Sequence, residues 1–130
     1  MAESEAFKAG RETRLQTMGE AMVERMAHGA YDDPVMADFV DYVTEALWGL
    51  LWSRPGLDTK TRALISVVTT ATQTRWAELA MYLRIGRQQG WTEDELSEVL
   101  LQLAGYIGAP SAREAMLTAK EVFREIRNEE

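Results

Sequence analysis

Four stop-and-start signals cut this chain into stretches of helical period, and they constrain its fold more than any other feature. Asp33 is a good N-cap, with Pro34 at the first helical position. Pro55 disfavours the α conformation at Arg54, Gly56 supplies a turn, and Asp58 can cap the next helix. Gly90 ends one helix, and Thr92 with Glu95 forms a capping box for its successor, with Trp91 and Leu96 placed to staple it. Gly108-Ala109-Pro110 makes the last break.

Between these signals the apolar residues recur at helical spacing. Residues 4–28 read as helical, with a candidate break at Gly19 and with Leu15, Met18, Met22 and Met26 in register. Gly10 and Gly19 weaken that stretch, since each costs about 1 kcal/mol against Ala inside a helix. From Pro34 onward, Val35, Met36, Phe39, Val40, Val43, Ala46, Leu47, Leu50 and Leu51 form a broad stripe, expected to be long and deeply packed. Residues 58–71 are apolar nearly all round. Their β-branched run from Ile65 to Thr70 also suits a strand, but the Asp58 cap and the helical neighbours favour helix. Helices over 75–89 and from Thr92 to Ile107 come next, and a last one carries Ala112, Ala115, Met116, Ala119, Val122, Phe123 and Ile126 in register. Its end, Arg127-Asn128-Glu129-Glu130, is expected to fray. The expectation is one all-α domain over residues 1–130, a bundle of about six helices with short connections.

Composition removes several kinds of chemistry. The chain has no cysteine and a single histidine, His28. Thiolate metal sites, disulfides, Cys nucleophiles and dithiol redox chemistry are therefore excluded, and a His-rich metal site is disfavoured. His28, beside Gly29, reads as a helix-end residue rather than a catalyst, with the catalytic reading the weaker of the two. A net charge of −7 with no run of Lys or Arg disfavours nucleic acid as a partner. No apolar run reaches the length of a membrane span, and the N-terminus lacks a secretory core, so a cytoplasmic location is expected.

The stretch from Trp48 to Leu64 is the candidate functional corner. Trp48 and Trp52 are one helical turn apart, and Arg62 lies just beyond the Pro55-Gly56 break. This reads either as one wall of a pocket or as ordinary core packing under a solvated basic turn.

Three stretches give the chain a recognisable pattern. AGRETRLQTMGEAMVER, WGLLWSRPGLDTKTRALI and AELAMYLRIGRQQGWTEDELSEVLLQLAGYIGAP resemble, in order and spacing, the signature blocks of the carboxymuconolactone decarboxylase family, relatives of the AhpD-like proteins. The similarity runs from about Ala9 to Phe123. It implies an AhpD-like helical fold, assembly into homotrimers or homohexamers with pockets near subunit contacts, and decarboxylation of a small lactone without metal or coenzyme. Four positions depart from the family pattern. Tyr82 stands where the family has His, Leu50 where it has an acidic residue, Ala46 where it often has His, and Ile107 where it has Cys. The resemblance thus implies a less polar pocket and a less polar substrate.

The residues carried over are Glu78 and Tyr82 as catalytic candidates, with Arg62, Trp48, Trp52, Leu50 and Ala46 for substrate binding. Glu78 is expected to be an acid or base in an apolar pocket, or else to pair with Arg75 on the surface. Tyr82 is an enolate donor or a core filler. Arg62 is an anion anchor or a partner of Asp58, while Arg84 and Arg87 are expected at the surface. Two functions compete: a cofactor-free lyase or isomerase of a small carboxylated or enolisable ring compound, and a non-catalytic ligand-binding or scaffold protein. Peroxidase-type redox activity is rejected because the chain has no thiol.

Overall fold

The computed structural model describes residues 3–130, and among them every regular element is helical. The helices are α1 (Glu5–Met18), α2 (Glu20–Ala27), α3 (Ala37–Val43), α4 (Thr59–Thr72), α5 (Trp76–Gln88), α6 (Glu93–Ile107) and α7 (Ala109–Glu129). A 3-10 turn, Pro34–Met36, leads into α3, and a π-helix, Thr44–Trp52, continues it. The chain divides into two compact units, Met1–Leu57 and Asp58–Glu130. Among the described residues no helix is long and apolar enough to cross a membrane.

The N-terminal unit is built on α1 packed against the π-helix. Ser4 caps α1, its hydroxyl oxygen accepting from the Phe7 N–H at 3.0 Å. The same hydroxyl donates to the Glu45 carboxylate at 2.7 Å, tying the start of α1 to the π-helix. The two glycines at the contact explain why the backbones come so close. A Cβ built on Gly10 would stand 1.7 Å from the Thr44 carbonyl oxygen, and one on Gly49 would stand 2.0 Å from that of Ala6. No side chain fits there. Gly10 is thus required by packing, despite its cost to the helix. Gly19, at φ 84°, separates α1 from α2 in a backbone conformation that favours glycine.

The expected deep burial of the Pro34–Leu51 stripe is not what forms. A π turn closes from residue i to i+5 and so shifts the phase of every position after Thr44. The buried residues of that segment are Thr44, Trp48, Gly49 and Trp52, while Leu50 and Leu51 are 61% and 47% exposed. Val35 and Phe39 are exposed as well.

The C-terminal unit holds the main core. Val67 and Ala71 of α4, Leu79 and Leu83 of α5, Leu96 and Leu100 of α6, and Ala115, Ala119, Val122 and Phe123 of α7 form one buried cluster. The β-branched run of α4 is helical, and its threonines satisfy their hydroxyls locally. Thr69, Thr70 and Thr72 donate to the carbonyls of Ile65, Ser66 and Val68 at 2.7–2.8 Å. Helix α4 is not apolar-packed all round, since Ile65 is exposed. The Thr92–Glu95 capping box forms in both directions, at 3.0 and 2.9 Å. Trp91 and Leu96 converge on Gly86, each within 3.8 Å of where its Cβ would lie. The Trp91 indole N–H donates to the Lys60 carbonyl at 2.8 Å, and the Lys60 ammonium sits 4.4 Å from the ring centroid. Helix α7 runs to Glu129, whose carboxylate is held by Arg84 at 2.8 Å.

Two consequences of this packing are testable. Gly49→Ala loses roughly 2 kcal/mol or more of stability, because backbone rather than a flexible side chain must yield. Gly105→Ala is the control: nothing lies within 4 Å of its Cβ position in α6, so it gains about 0.5–1 kcal/mol. Chemical denaturation of both variants reads the difference. The second consequence concerns acid. Hydrogen bonds from Thr61, side chain then backbone, lower the Asp58 carboxyl below its ordinary value, and bonds from Thr92, backbone first, do the same for Glu95. A depressed folded value contributes stability above the ordinary carboxylate pKa of about 4, which is lost as pH falls through the folded value. The double variant Asp58→Asn/Glu95→Gln should therefore lose less stability between about pH 4 and 2 than the parent, in melts taken across that range.

Candidate functional site

The candidate residues fall into two groups, one in each unit. In the N-terminal unit, Trp48 and Trp52 stack with ring centroids 4.7 Å apart at an interplanar angle of 38°. Both are buried, at 3% and 6% exposure. The π-helix presents them together because four residues still bring a side chain back to nearly the same face. Ala46 is half-buried and Leu50 exposed on the same helix. The Ser53 hydroxyl donates to the Gly49 carbonyl where this helix ends.

In the C-terminal unit, Glu78 and Tyr82 lie one turn apart on α5, and Arg62 lies on the neighbouring α4. Tyr82 is half-buried and packs on the core cluster. Glu78 is exposed, contrary to the expected apolar enclosure. The reason is register: Leu79 and Leu83 turn into the core, with Trp76 and Ala80 packed beside them, and Glu78 falls off that face. Its place in the first turn of α5 favours a negative charge there.

Helical spacing offers Arg75 to Glu78 and Asp58 to Arg62. Among the described residues no ion pair joins Glu78 to Arg75. The Asp58 carboxylate accepts the Thr61 N–H at 2.7 Å, which makes it the cap of α4.

Arg84 and Arg87 are not the surface residues expected. The Arg84 side chain is only 12% exposed and bridges from α5 to Glu125 at 3.2 Å and Glu129 at 2.8 Å on α7. Arg87 donates to the Trp91 carbonyl at 2.8 Å, and its Nε is buried without a partner. Both close the C-terminal unit on itself. Among the described residues no cluster of His, Asp and Glu has the geometry to hold a metal ion.

A second feature had no signal in the sequence. Arg14, Ala27, Tyr31, Ala37, Val40 and Asp41 line an open cavity of about 230 Å³ in the N-terminal unit. Helical spacing does not bring Arg14, Ala27, Tyr31 and Val40 together, so only the folded unit reveals it.

Comparison with known proteins gives consistent results. The model of the carboxymuconolactone decarboxylase family matches residues 37–121. The chain is 36% identical over 126 residues to 4-carboxymuconolactone decarboxylase of Acinetobacter baylyi, covering 97% of this chain and 92% of that one. It is 33% identical over 120 residues to nitrosuccinic acid decarboxylase of Metarhizium robertsii, covering 92% of this chain and 82% of the relative.

The bridging role of Arg84 is testable. Arg84→Met should cost about 1 kcal/mol and speed amide hydrogen exchange over residues 125–129, leaving α4 unchanged. A freely solvated arginine would show neither effect.

Proposed function

The chain belongs to the carboxymuconolactone decarboxylase family, and from that premise we propose that it is a decarboxylase of a small carboxylated compound that carries its own electron sink. One observation carries this reading. Over nearly the whole chain it resembles two relatives named for the same reaction on different substrates. One name specifies a carboxyl group on a lactone, the other a nitro group on succinic acid. Each pairs a carboxyl with an electron-withdrawing function. The substrate class comes from that pairing and is wider than ring compounds.

The reaction breaks one carbon–carbon bond. Carbon dioxide leaves, and the bonding pair enters the sink as an enolate or its equivalent. No added coenzyme is needed for that step, because the acceptor is part of the substrate. Arg62 anchors an anionic oxygen of the substrate through charge-assisted hydrogen bonds. The Tyr82 phenol donates to the oxyanion that develops on the sink, a role a neutral donor fills without titrating near neutrality. Glu78 delivers the proton that replaces carbon dioxide on carbon. An apolar setting around the scissile bond favours loss of a charged carboxylate as its charge disperses.

Glu78 is exposed in the single chain, whereas proton transfer to a carbanionic centre is favoured away from bulk water. The reading includes assembly into a homotrimer or homohexamer in which a neighbouring copy covers Glu78. Exposed apolar side chains at Phe39, Tyr42, Leu50, Ile65, Leu101 and Tyr106 are consistent with surfaces that become covered.

Carbon dioxide release from nitrosuccinate, 4-carboxymuconolactone and a panel of small carboxylic acids tests the reading. Glu78→Gln should lower kcat about 10²- to 10⁴-fold on the substrate that turns over. Arg62→Met should lower kcat/KM about 10- to 100-fold, with helicity and subunit count unchanged. No release from any panel member, or full activity in both variants, would leave a non-catalytic binding protein as the better account.

A further inference from the structure

The cavity in the N-terminal unit is lined by a cation, Arg14, that forms no ion pair with a carboxylate among the described residues. Arg14 projects from α1 and is half-buried. Among the described residues no carboxylate lies within ion-pair distance of it; its partner is the Tyr31 ring, 5.8 Å from the guanidinium carbon. Desolvation by burial lowers its pKa, and only the Tyr31 hydroxyl opposes that shift. A half-buried guanidinium ordinarily recovers its lost hydration through a carboxylate. Here the donor fork is left available at a cavity instead.

The remaining lining narrows what fits. Ala27, Ala37 and Val40 give short apolar walls, and Tyr31 gives an aromatic one. Tyr31 is itself held edge-on against Phe39, with centroids 6.3 Å apart. A cavity of about 150 Å³ accommodates a benzene ring, so the 230 Å³ here has room for a ring with one substituent. Asp41, exposed on α3, lines the same cavity without pairing to Arg14. It adds one negative charge, which disfavours a ligand carrying a second anionic group.

We propose that this cavity is a binding site for a small organic monocarboxylate, with Arg14 taking the carboxylate, Tyr31 and Val40 the apolar body, and Asp41 rejecting dianions. The site lies wholly within the N-terminal unit and shares no residue with the proposed catalytic group. It stands whether or not the chain is a decarboxylase.

Amide chemical shifts of isotopically labelled protein, followed during titration with benzoate, benzamide and terephthalate, test it. Benzoate should shift Tyr31, Val40 and Asp41 in a saturable manner. Neutral benzamide and dianionic terephthalate should bind at least about 10-fold more weakly. Arg14→Met should weaken benzoate about 10-fold or more. Asp41→Asn, a conservative change at an exposed position, should narrow the gap between terephthalate and benzoate. The site is overturned if benzoate shifts only residues elsewhere, such as Trp48 or Tyr82. It is equally overturned if benzamide binds as well as benzoate, if inorganic phosphate reproduces the benzoate shifts at equal affinity, or if Asp41→Asn leaves the discrimination unchanged.

Discussion

Backbone packed directly on backbone, with no Cβ between, is the constraint on which the N-terminal unit depends. Gly10 on α1 and Gly49 on the π-helix each occupy space in which even a methyl group would collide with a carbonyl. Close approach of that kind gives dense packing without large side chains, but it demands a fixed register. The π-helix supplies the register. Its wider turn brings Gly49 onto α1 while Trp48 and Trp52 remain stacked and buried. The same shift turns Leu50 and Leu51 outward. Exposed leucines and buried tryptophans are therefore two results of one change in helical pitch.

The C-terminal unit obeys a different logic. Its core is a conventional apolar cluster shared by four helices, and its polar groups act mainly as fasteners. Threonine hydroxyls return to their own helix, the capping box closes on itself, and Arg84 bolts α5 to the end of α7. Glu78 stands apart from these fasteners, and the half-buried Tyr82 places a phenol at the edge of the core.

A decarboxylase that relies on a sink within the substrate needs little from the protein: an anchor, a hydrogen-bond donor, a proton and a dry surface. In the proposed reading, Tyr82 in place of an imidazole fits that small set, because donating to an oxyanion does not require a group that titrates near neutrality. What the single chain does not supply is enclosure of Glu78. Cover from a neighbouring copy would couple activity to assembly. The Arg14 cavity differs in kind, since there burial partly desolvates a charge and no carboxylate among the described residues pairs with it.

Much of the architecture was legible in the residues. Asp33, Asp58 and Thr92 with Glu95 cap helices as local chemistry dictates, and Gly19, Gly90 and Gly108 adopt positive φ at the breaks. Caps and turns are decided within a few residues, so sequence determines them alone. The family was equally readable, because motif order and spacing survive along the chain. The tertiary structure alone decided the π pitch after Thr44, the need for Gly10, the burial of Arg84 and the pairing of Arg14 with Tyr31. Each of these depends on what a distant segment places against a residue, and helical periodicity carries no information about that.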